Sequence, residues 1–229
     1  MNARPDPDVC SDVCSDPDVC SFLPSMNSND VAHSCCLIVA IEGLDGAGKT
    51  TIVSALRRAL RELSVPTTTR HLEKNYLSSA FKAARQISDP RLKYLLQHAA
   101  GLLLREVIRG LDRGSVLICD RYLFSARAYY MAVTQAPDLL PNAMDILPSP
   151  DIGVLLRCNP TTRRSRLLSR KIAPSARKLE TTNPDLSARI EELLFGSCTW
   201  MKLDTELLSL RETTNIICRH ILRNYYGRN

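Results

Sequence analysis

From residue 36 onward, short apolar runs alternate with longer stretches whose apolar residues recur at the period of a helix. The runs predict strands at residues 37–41, 65–72, 116–119, 152–156 and, more weakly, 200–204. The longer stretches predict helices at residues 51–60, 77–87, 91–109, about 121–133, 160–171, 184–195 and 211–225. Apolar strands that alternate with helices are typical of a parallel sheet covered on both faces. We therefore predict an α/β fold, a doubly wound parallel sheet flanked by helices.

Residues 1–35 differ in composition from the rest of the chain. The hexapeptide Asp-Pro-Asp-Val-Cys-Ser occurs at residues 6–11 and again at 16–21. The segment offers too little apolar surface to offset the entropy lost on ordering. We expect a disordered, acidic tail rich in Cys, Asp and Pro, followed by one domain over residues 36–229.

The two parts of the chain carry opposite charge. Residues 1–35 contain six Asp and one Arg, a net charge of −5, so the formal +6 of the whole chain leaves +11 on residues 36–229. A basic domain attracts polyanions, and nucleotides suffice to explain this charge. Because no recognised nucleic-acid-binding motif occurs, we expect no nucleic acid partner.

No apolar run reaches the length of a transmembrane helix. The acidic N-terminus also lacks the basic start of a secretory signal and the Arg-rich composition of a transit peptide. We therefore expect a cytoplasmic protein with no membrane partner. The nine cysteines are an odd number, which favours free thiols in such a location.

Residues Gly43–Thr50 match the phosphate-loop pattern G-x-x-x-x-G-K-[ST] at every fixed position. In such a loop the glycines let backbone N–H groups point at phosphates, the lysine contacts the β- and γ-phosphates, and the final hydroxyl ligates Mg²⁺. The pattern predicts a nucleoside triphosphate site with Mg²⁺, and the alternative is a plain glycine turn. The predicted binding residues are Gly43, Gly46, Ala47, Gly48, Lys49, Thr50 and Thr51, with Lys49 as a catalytic residue and Thr50 as a metal ligand.

The apolar run 116–119 ends in Asp120, and Arg121 follows at once. An apolar strand ending in Asp is the Walker B pattern, whose carboxylate holds Mg²⁺ directly or through water. A guanidinium binds phosphate bidentately, so we expect Arg121 to hold the phosphate of an acceptor. The alternative is an ordinary structural ion pair.

Three arginines of the stretch 160–171 fall on one helical face, at Arg163, Arg166 and Arg170. No acidic residue shares that face in the sequence, which favours a mobile basic lid that closes over the triphosphate. The alternative is a solvated basic helix.

These segments resemble the thymidylate kinases, a branch of the nucleoside monophosphate kinases, over about residues 37–225. The resemblance rests on the loop at 41–51, on the Asp-Arg-Tyr box at 120–129, and on residues 150–160 with the arginines that follow. It implies a P-loop kinase fold with a basic lid, so that residues 36–229 form a P-loop nucleotide kinase domain that uses ATP.

The resemblance also implies roles for single residues. Asp45 would bind a sugar hydroxyl of the acceptor, and Asp120 would serve Mg²⁺. Arg121 and Arg70 would hold the acceptor phosphate. Arg170 would stabilise the transferring phosphoryl group, a role that fits a loop without arginine between its glycines.

The chain departs from the family where thymine is read. The family places an aromatic residue, and an arginine four residues later, on the helix before the Asp-Arg-Tyr strand; we place Leu96 and Ala100 there. The family's Arg-Glu-Pro-Gly-like stretch is replaced by residues 70–73, Arg-His-Leu-Glu, and Tyr130 replaces the usual Gln. We therefore expect dTMP to be used poorly or favoured only weakly over other monophosphates. His98 is either a substitute contact to the base or an ordinary helix residue.

The sequence predicts ATP- and Mg²⁺-dependent phosphoryl transfer to a nucleoside monophosphate, with dTMP the best single candidate acceptor and a homodimer as a candidate assembly. One alternative is a kinase for another phosphorylated or nucleoside-like small molecule in specialised metabolism. The other is a nucleotide-dependent switch or a weakly catalytic binding protein. A switch would be expected to contain a guanine-specifying Asn-Lys-x-Asp, which the sequence lacks.

Overall fold

The computed structural model describes residues 36–84, 89–141, 147–169, 183–196 and 199–228. The strands in these ranges are β1 Leu37–Gly43, β2 Thr67–His71, β3 Val116–Asp120, β4 Ile152–Arg157 and β5 Met201–Asp204. The helices in the same ranges are α1 Lys49–Glu62, α2 Leu72–Asn75, α3 Ser78–Ala84, α4 Pro90–Arg109, α5 Phe124–Thr134, α6 Pro160–Ser169, α7 Pro184–Gly196 and α8 Leu210–Tyr226. The tail predicted for residues 1–35 lies outside the described residues.

The strands pair in parallel in the order β2-β3-β1-β4-β5. In this register Ile41 of the central strand lies opposite Asp120 on one side and Val154 on the other. The carboxyl ends of β1 and β3 are therefore neighbours. The loop that leaves β1 and the residue that follows β3 meet at the same edge of the sheet, where open α/β sheets bind their ligands.

Helices cover both faces of the central strand, whose seven residues are all buried. Val39 and Ile41 pack against apolar residues of α1 and α8 on one face, whereas Ile38 and Ala40 pack against residues of α4 on the other. Successive side chains of a strand point to opposite faces, so a strand covered on both faces is expected to be apolar throughout. Residues 37–41 of β1 follow this rule, and the buried Glu42 that comes next is the exception. The predicted doubly wound parallel sheet is confirmed.

Helix α1 is held to the sheet by its apolar stripe. Its buried residues Ile52, Val53, Leu56 and Leu60 recur at three- and four-residue intervals and pack beneath β1 and β3. Burial of such side chains contributes about 1.5–3 kcal/mol each. This anchor fixes the N-terminus of α1, which begins at Lys49, against the end of the loop.

The predicted elements are found within a few residues of their expected limits, but the four-residue helix α2 was not predicted. Its N-terminus is capped by His71, whose Nδ1 accepts from the N–H groups of Glu73 at 3.2 Å and Lys74 at 3.3 Å. A single turn is too short to produce a periodic pattern. Among the described residues, none of the helices combines the length and the apolarity needed to cross a membrane.

Candidate active site

The loop between β1 and α1 lies tightly against β4 and α6. Gly46 has φ +86°, and a Cβ there would stand 2.9 Å from the backbone oxygen of Arg163. At Gly43 a Cβ would stand 2.4 Å from the backbone oxygen of Leu156. Only glycine fits such contacts without moving the backbone. Gly43 and Gly46 therefore let the loop fold close to its neighbours.

Lys49 begins α1 and folds its side chain back over the loop. Its Nζ donates hydrogen bonds of 2.8 Å to the backbone oxygens of Gly43 and Leu44. The same atom lies 3.8 Å from Asp45 Oδ1. Burial, assisted by the positive charge of Arg121, lowers the pKa of Lys49 to about 8, although nearby carboxylates oppose the shift. The ammonium group is thus partly desolvated and directed at the space enclosed by the loop.

Thr50 and Asp120 meet across the ends of two neighbouring strands. The Thr50 hydroxyl donates a 2.7 Å hydrogen bond to Asp120 Oδ2. Asp120 is buried, and its Oδ1 has no hydrogen-bond partner among the described residues. A buried carboxylate oxygen without a donor favours a cation, and a hydroxyl plus a carboxylate are oxygen ligands of the kind Mg²⁺ accepts. These two residues fit the magnesium ion predicted from the sequence.

Arg121 occupies the first position after β3 in an unusual backbone conformation. Its φ is +82°, and its N–H donates to the backbone oxygen of Ile41 at 3.0 Å. The guanidinium pairs with Asp45 and donates to the Ser125 hydroxyl at 3.4 Å. Burial alone would lower the pKa of Arg121, but the surrounding carboxylates, Asp45 first among them, raise it above its ordinary value. Arg121 is therefore a permanent cation beside the loop.

Glu42, the residue before the loop, holds the turn that carries Arg121. Its side chain is fully buried, and Oε1 accepts from the N–H groups of Tyr122 at 2.8 Å and Ser125 at 3.1 Å. Burial raises the pKa of Glu42 above its ordinary value, while Arg121 and the two donated bonds oppose the shift. Glu42 belongs to the motif at residues 41–51, but this long-range role was not predicted from the sequence.

A family model for thymidylate kinase matches residues 41–215, which include the loop, β3 and α6. The chain belongs to the thymidylate kinase family. Thymidylate kinases are nucleoside monophosphate kinases that use ATP as a substrate. The predicted P-loop kinase fold and the predicted enzyme class are therefore confirmed.

Curated thymidylate kinases are similar to the chain over much of its length. The thymidylate kinase of Xylella fastidiosa strain M23 is 32% identical over 164 residues, which cover 67% of this chain and 72% of that protein. The thymidylate kinase of Xanthomonas campestris pv. campestris strain B100 is 33% identical over 147 residues, or 61% of this chain and 63% of that protein. The match thus spans less than two thirds of the Xanthomonas protein.

A solved thymidylate kinase from Candida albicans has the same fold. The superposition has a TM-score of 0.65 at 20% sequence identity and covers 82% of this chain and 92% of that one. At this identity the likeness concerns the arrangement of strands and helices. It supports the doubly wound sheet described above.

The thymidylate kinase fold brings one arginine of α6 to the loop. Arg166 donates to the Thr205 hydroxyl and to the Thr205 backbone oxygen, both at 3.0 Å, and to the Gly46 backbone oxygen at 3.4 Å. The Thr205 hydroxyl in turn donates to the backbone oxygen of Ala47 at 3.1 Å. Arg166 therefore lies beside the phosphate loop, and its role in a basic lid stays a prediction. Arg170 lies outside the described residues.

The expectation that the arginines of α6 lack an acidic partner is wrong for Arg163. Its side chain is almost completely buried, and its guanidinium donates to the Cys158 backbone oxygen at 2.7 Å and to Glu191 Oε2 at 2.9 Å. Glu191 belongs to α7, 28 residues further along the chain. Helical spacing within α6 gave no information about a partner from another helix. Arg163 is a structural residue.

On the acceptor side, Arg70 lies near the end of β2, opposite Cys119 of β3. Its guanidinium donates to the backbone oxygen of the preceding Thr69 at 3.0 Å. Arg70 is partly exposed at the edge of the sheet that carries Arg121. This position is compatible with the predicted contact to an acceptor phosphate, which stays a prediction.

The positions on α4 that we align with the family's thymine-reading residues are apolar and pack in or against the core, and this placement stays a prediction. Ala100 is fully buried in the core on the α4 side of the sheet, and Leu96 packs against that same core. Gln97, one residue further along from Leu96, is buried and donates from Nε2 to Glu73 Oε1 at 2.9 Å. His98 is buried with its Nδ1 2.9 Å from the Tyr94 backbone oxygen, which favours an ordinary helix residue.

Proposed function

We propose that the chain transfers the γ-phosphoryl group of ATP to a nucleoside monophosphate, with dTMP as the acceptor. One observation carries the proposal. Asp45 Oδ1 lies 3.8 Å from Lys49 Nζ and pairs with the guanidinium of Arg121. A cation suited to the donor phosphates and a cation suited to the acceptor phosphate thus contact the same carboxylate oxygen. Cations near both phosphates suit phosphoryl transfer, because its catalysis consists of positioning and charge neutralisation.

In this mechanism the backbone N–H groups of the loop and Lys49 hold the donor phosphates. The residues assigned to the nucleotide are Gly43, Gly46, Ala47, Gly48, Lys49, Thr50 and Thr51, with Arg166 beside them. Thr50 and Asp120 would hold Mg²⁺, which supplies positive charge to the β- and γ-phosphates when it is bound. These assignments follow the hydrogen bonds of the loop residues and the free oxygen of Asp120.

On the acceptor side of the site, Arg121 and Arg70 hold the acceptor phosphate. An oxygen of that phosphate attacks the γ-phosphorus, and the bond from the γ-phosphorus to the bridging oxygen breaks, so ADP leaves and a nucleoside diphosphate forms. When the acceptor phosphate replaces Asp45 at Arg121, Asp45 becomes free to bind the sugar hydroxyl. Arg170 stabilises the transferring group in this scheme.

We also infer that the chain forms a homodimer through the outer face of α4. Leu95, Leu102 and Leu103 are 46%, 49% and 42% exposed, and their spacing places them on one side of the helix. A two-fold dimer uses the same patch on both copies, which suits such a self-complementary apolar stripe. Light scattering on wild type and on Leu102→Glu tests this inference. A wild-type monomer contradicts it.

A panel of acceptors tests the proposed reaction. The protein is incubated with ATP, Mg²⁺ and one of dTMP, dUMP, dCMP, dAMP or dGMP, and ADP and nucleoside diphosphate are quantified. We expect ADP and dTDP to form in equal amounts, with dTMP used at least as well as any other acceptor. This revises the weak use of dTMP that the departures from the family's thymine-reading residues predict. ATP hydrolysis without transfer to any monophosphate would contradict the proposal.

A further inference from the structure

Gln97 is an unusual residue for the inner side of α4. Its neighbours on that side, such as Gly101 and Leu104, are apolar and pack against the core. The amide is only 6% exposed and donates from Nε2 to Glu73 Oε1 at 2.9 Å. Placing a polar group in such surroundings is costly unless its hydrogen-bonding atoms are used. A function for this amide would explain why an apolar residue is not found there.

The partner of Gln97 lies beside the acceptor side of the site. Glu73 belongs to α2, which begins directly after β2, and His71 at the end of β2 lies opposite Asp120. Helix α2 therefore starts next to the strand end that carries Arg121. Burial alone would lower the pKa of Arg121, and Glu73 is one of the carboxylates, after Asp45 and Glu42, that raise it. The hydrogen-bonded side chains of Gln97 and Glu73 therefore lie near the strand end that carries Arg121, the arginine assigned to the acceptor phosphate.

We propose that Gln97, oriented by Glu73, reads the base of the acceptor and selects a base with an imide edge, thymine or uracil. The inference rests on the proposed function, because it assumes that a nucleoside monophosphate is held by Arg121. A primary amide has one acceptor oxygen and two N–H donors, so it can form two parallel hydrogen bonds with a base edge. Its oxygen accepts the base N3–H while its second N–H donates to a ring carbonyl.

Glu73 gives this amide its selectivity. A carboxylate only accepts hydrogen bonds, so the nitrogen end of the amide has to face Glu73 and the oxygen end has to face away. Thymine presents a donor at position 3 and an acceptor at position 4, whereas cytosine presents the reverse. A base positioned by its sugar and phosphate therefore meets an amide of fixed orientation. If the amide could rotate by about 180° to exchange its oxygen and nitrogen, it would form hydrogen bonds equally well with both bases.

Neighbouring side chains of α4 leave Gln97 as the residue for this role. Ala100 is enclosed in the core, and His98 directs its Nδ1 at the backbone of its own helix, 2.9 Å from the Tyr94 oxygen. Gln97 instead reaches across to α2, the element adjacent to Arg121. The family's aromatic residue and arginine are not needed for a base that is read by hydrogen bonds to an amide.

The test measures kcat/KM for dTMP, dUMP and dCMP in the wild type, Gln97→Leu and Glu73→Gln, all with saturating ATP and Mg²⁺. Glu106→Gln is the matched control, because the Glu106 carboxylate pairs with Arg109 on the exposed side of the same helix. The decisive quantity is the ratio of dTMP to dCMP efficiency within one preparation. That ratio does not depend on the folded fraction, and Glu73 is partly exposed, so its variant keeps the test usable if Gln97→Leu is unstable.

We expect Gln97→Leu to lower the dTMP to dCMP ratio by about tenfold or more, mainly through the KM of dTMP, with the KM of ATP unchanged. Glu73→Gln should lower the ratio in the same direction by a smaller factor, and Glu106→Gln should leave it unchanged. A ratio within about twofold of wild type in both site variants would overturn the base-reading inference alone. A wild type that phosphorylates none of the three acceptors would contradict the proposed function as well.

Discussion

The guanidinium of Arg121 pairs with the carboxylate of Asp45, and the same carboxylate oxygen lies 3.8 Å from Lys49 Nζ. One negative charge therefore contacts two cations that would otherwise repel each other. In the proposed mechanism, phosphates on either side take over this neutralising role. Substrate binding then exchanges one set of ion pairs for another, and Asp45 becomes available to the acceptor sugar.

Replacing Asp45 with Asn removes the internal competitor for phosphate while keeping the size of the side chain. Inorganic pyrophosphate should bind about fivefold more tightly to this variant, because a partly exposed ion pair contributes about 1 kcal/mol. Isothermal titration calorimetry measures the affinity, with Asp185→Asn at an exposed position of α7 as the control. An affinity equal to or weaker than that of the wild type would mean that Asp45 does not compete for the cations.

Removing the Glu42 carboxylate should loosen the turn that holds Arg121. In Glu42→Ala the N–H groups of Tyr122 and Ser125 lose their acceptor, at a cost of about 1–3 kcal/mol. We expect the KM of the acceptor to rise about tenfold while the KM of ATP changes much less. In Glu42→Gln the amide oxygen can still accept both bonds, so the KM of the acceptor should lie between the values for Glu42→Ala and wild type. Equal increases in both KM values would show a general loss of structure instead.

His98 should make the fold less stable in mild acid. Burial lowers the pKa of His98 below its ordinary value of 6.5, so the unfolded chain binds a proton more readily than the folded one. Stability is therefore complete above pH 6.5 and declines as pH falls from there through the lower, folded-state pKa. The melting temperature of the wild type should fall more steeply between pH 7.5 and 5.5 than that of His98→Gln. His220→Gln, at an exposed position on α8, should show the same pH dependence of the melting temperature as wild type. If the melting temperature depends on pH equally in all three proteins, His98 does not cause the loss of stability in acid.

The lid assignment is tested by Arg170→Ala. A residue whose contact forms mainly in the transition state lowers kcat more than it raises the acceptor's KM. We expect kcat to fall by at least tenfold, since an arginine acting on the transferring phosphoryl group is worth about 10³–10⁵ in related enzymes. Arg164→Ala, which removes an exposed charge of α6, is the control. If both variants turn over at the wild-type rate with saturating substrates, Arg170 is an ordinary surface residue.

The sheet and its helices could be predicted because their signals are local. The apolar runs 37–41 and 116–119 have no polar alternation, and α1 and α4 show a clear helical period, so each type of element followed from the sequence. The phosphate loop was equally clear, since its glycines and Lys49 are fixed by chemistry within eight residues. Helix α2 was missed because one turn has no period.

Contacts between distant segments could not be predicted in the same way. The pairing of Arg163 with Glu191 joins two helices, and the bonds from Glu42 to Tyr122 and Ser125 join residues about 80 positions apart. The hydrogen bond from Gln97 to Glu73 is of the same kind, because it joins α4 to α2 across 24 residues of sequence.

The most direct test of the account compares phosphoryl transfer from ATP to dTMP by wild type and by Lys49→Ala, with Lys202→Ala, an exposed position on β5, as the control. Lys49 contacts the donor phosphates in the proposed mechanism, so its loss should reduce kcat by at least two orders of magnitude. The structure of the variant is checked by its melting temperature, and dTDP formation is followed directly. The account predicts that wild type and Lys202→Ala form dTDP at similar rates while Lys49→Ala forms almost none. Wild-type rates of dTDP formation in Lys49→Ala would contradict it.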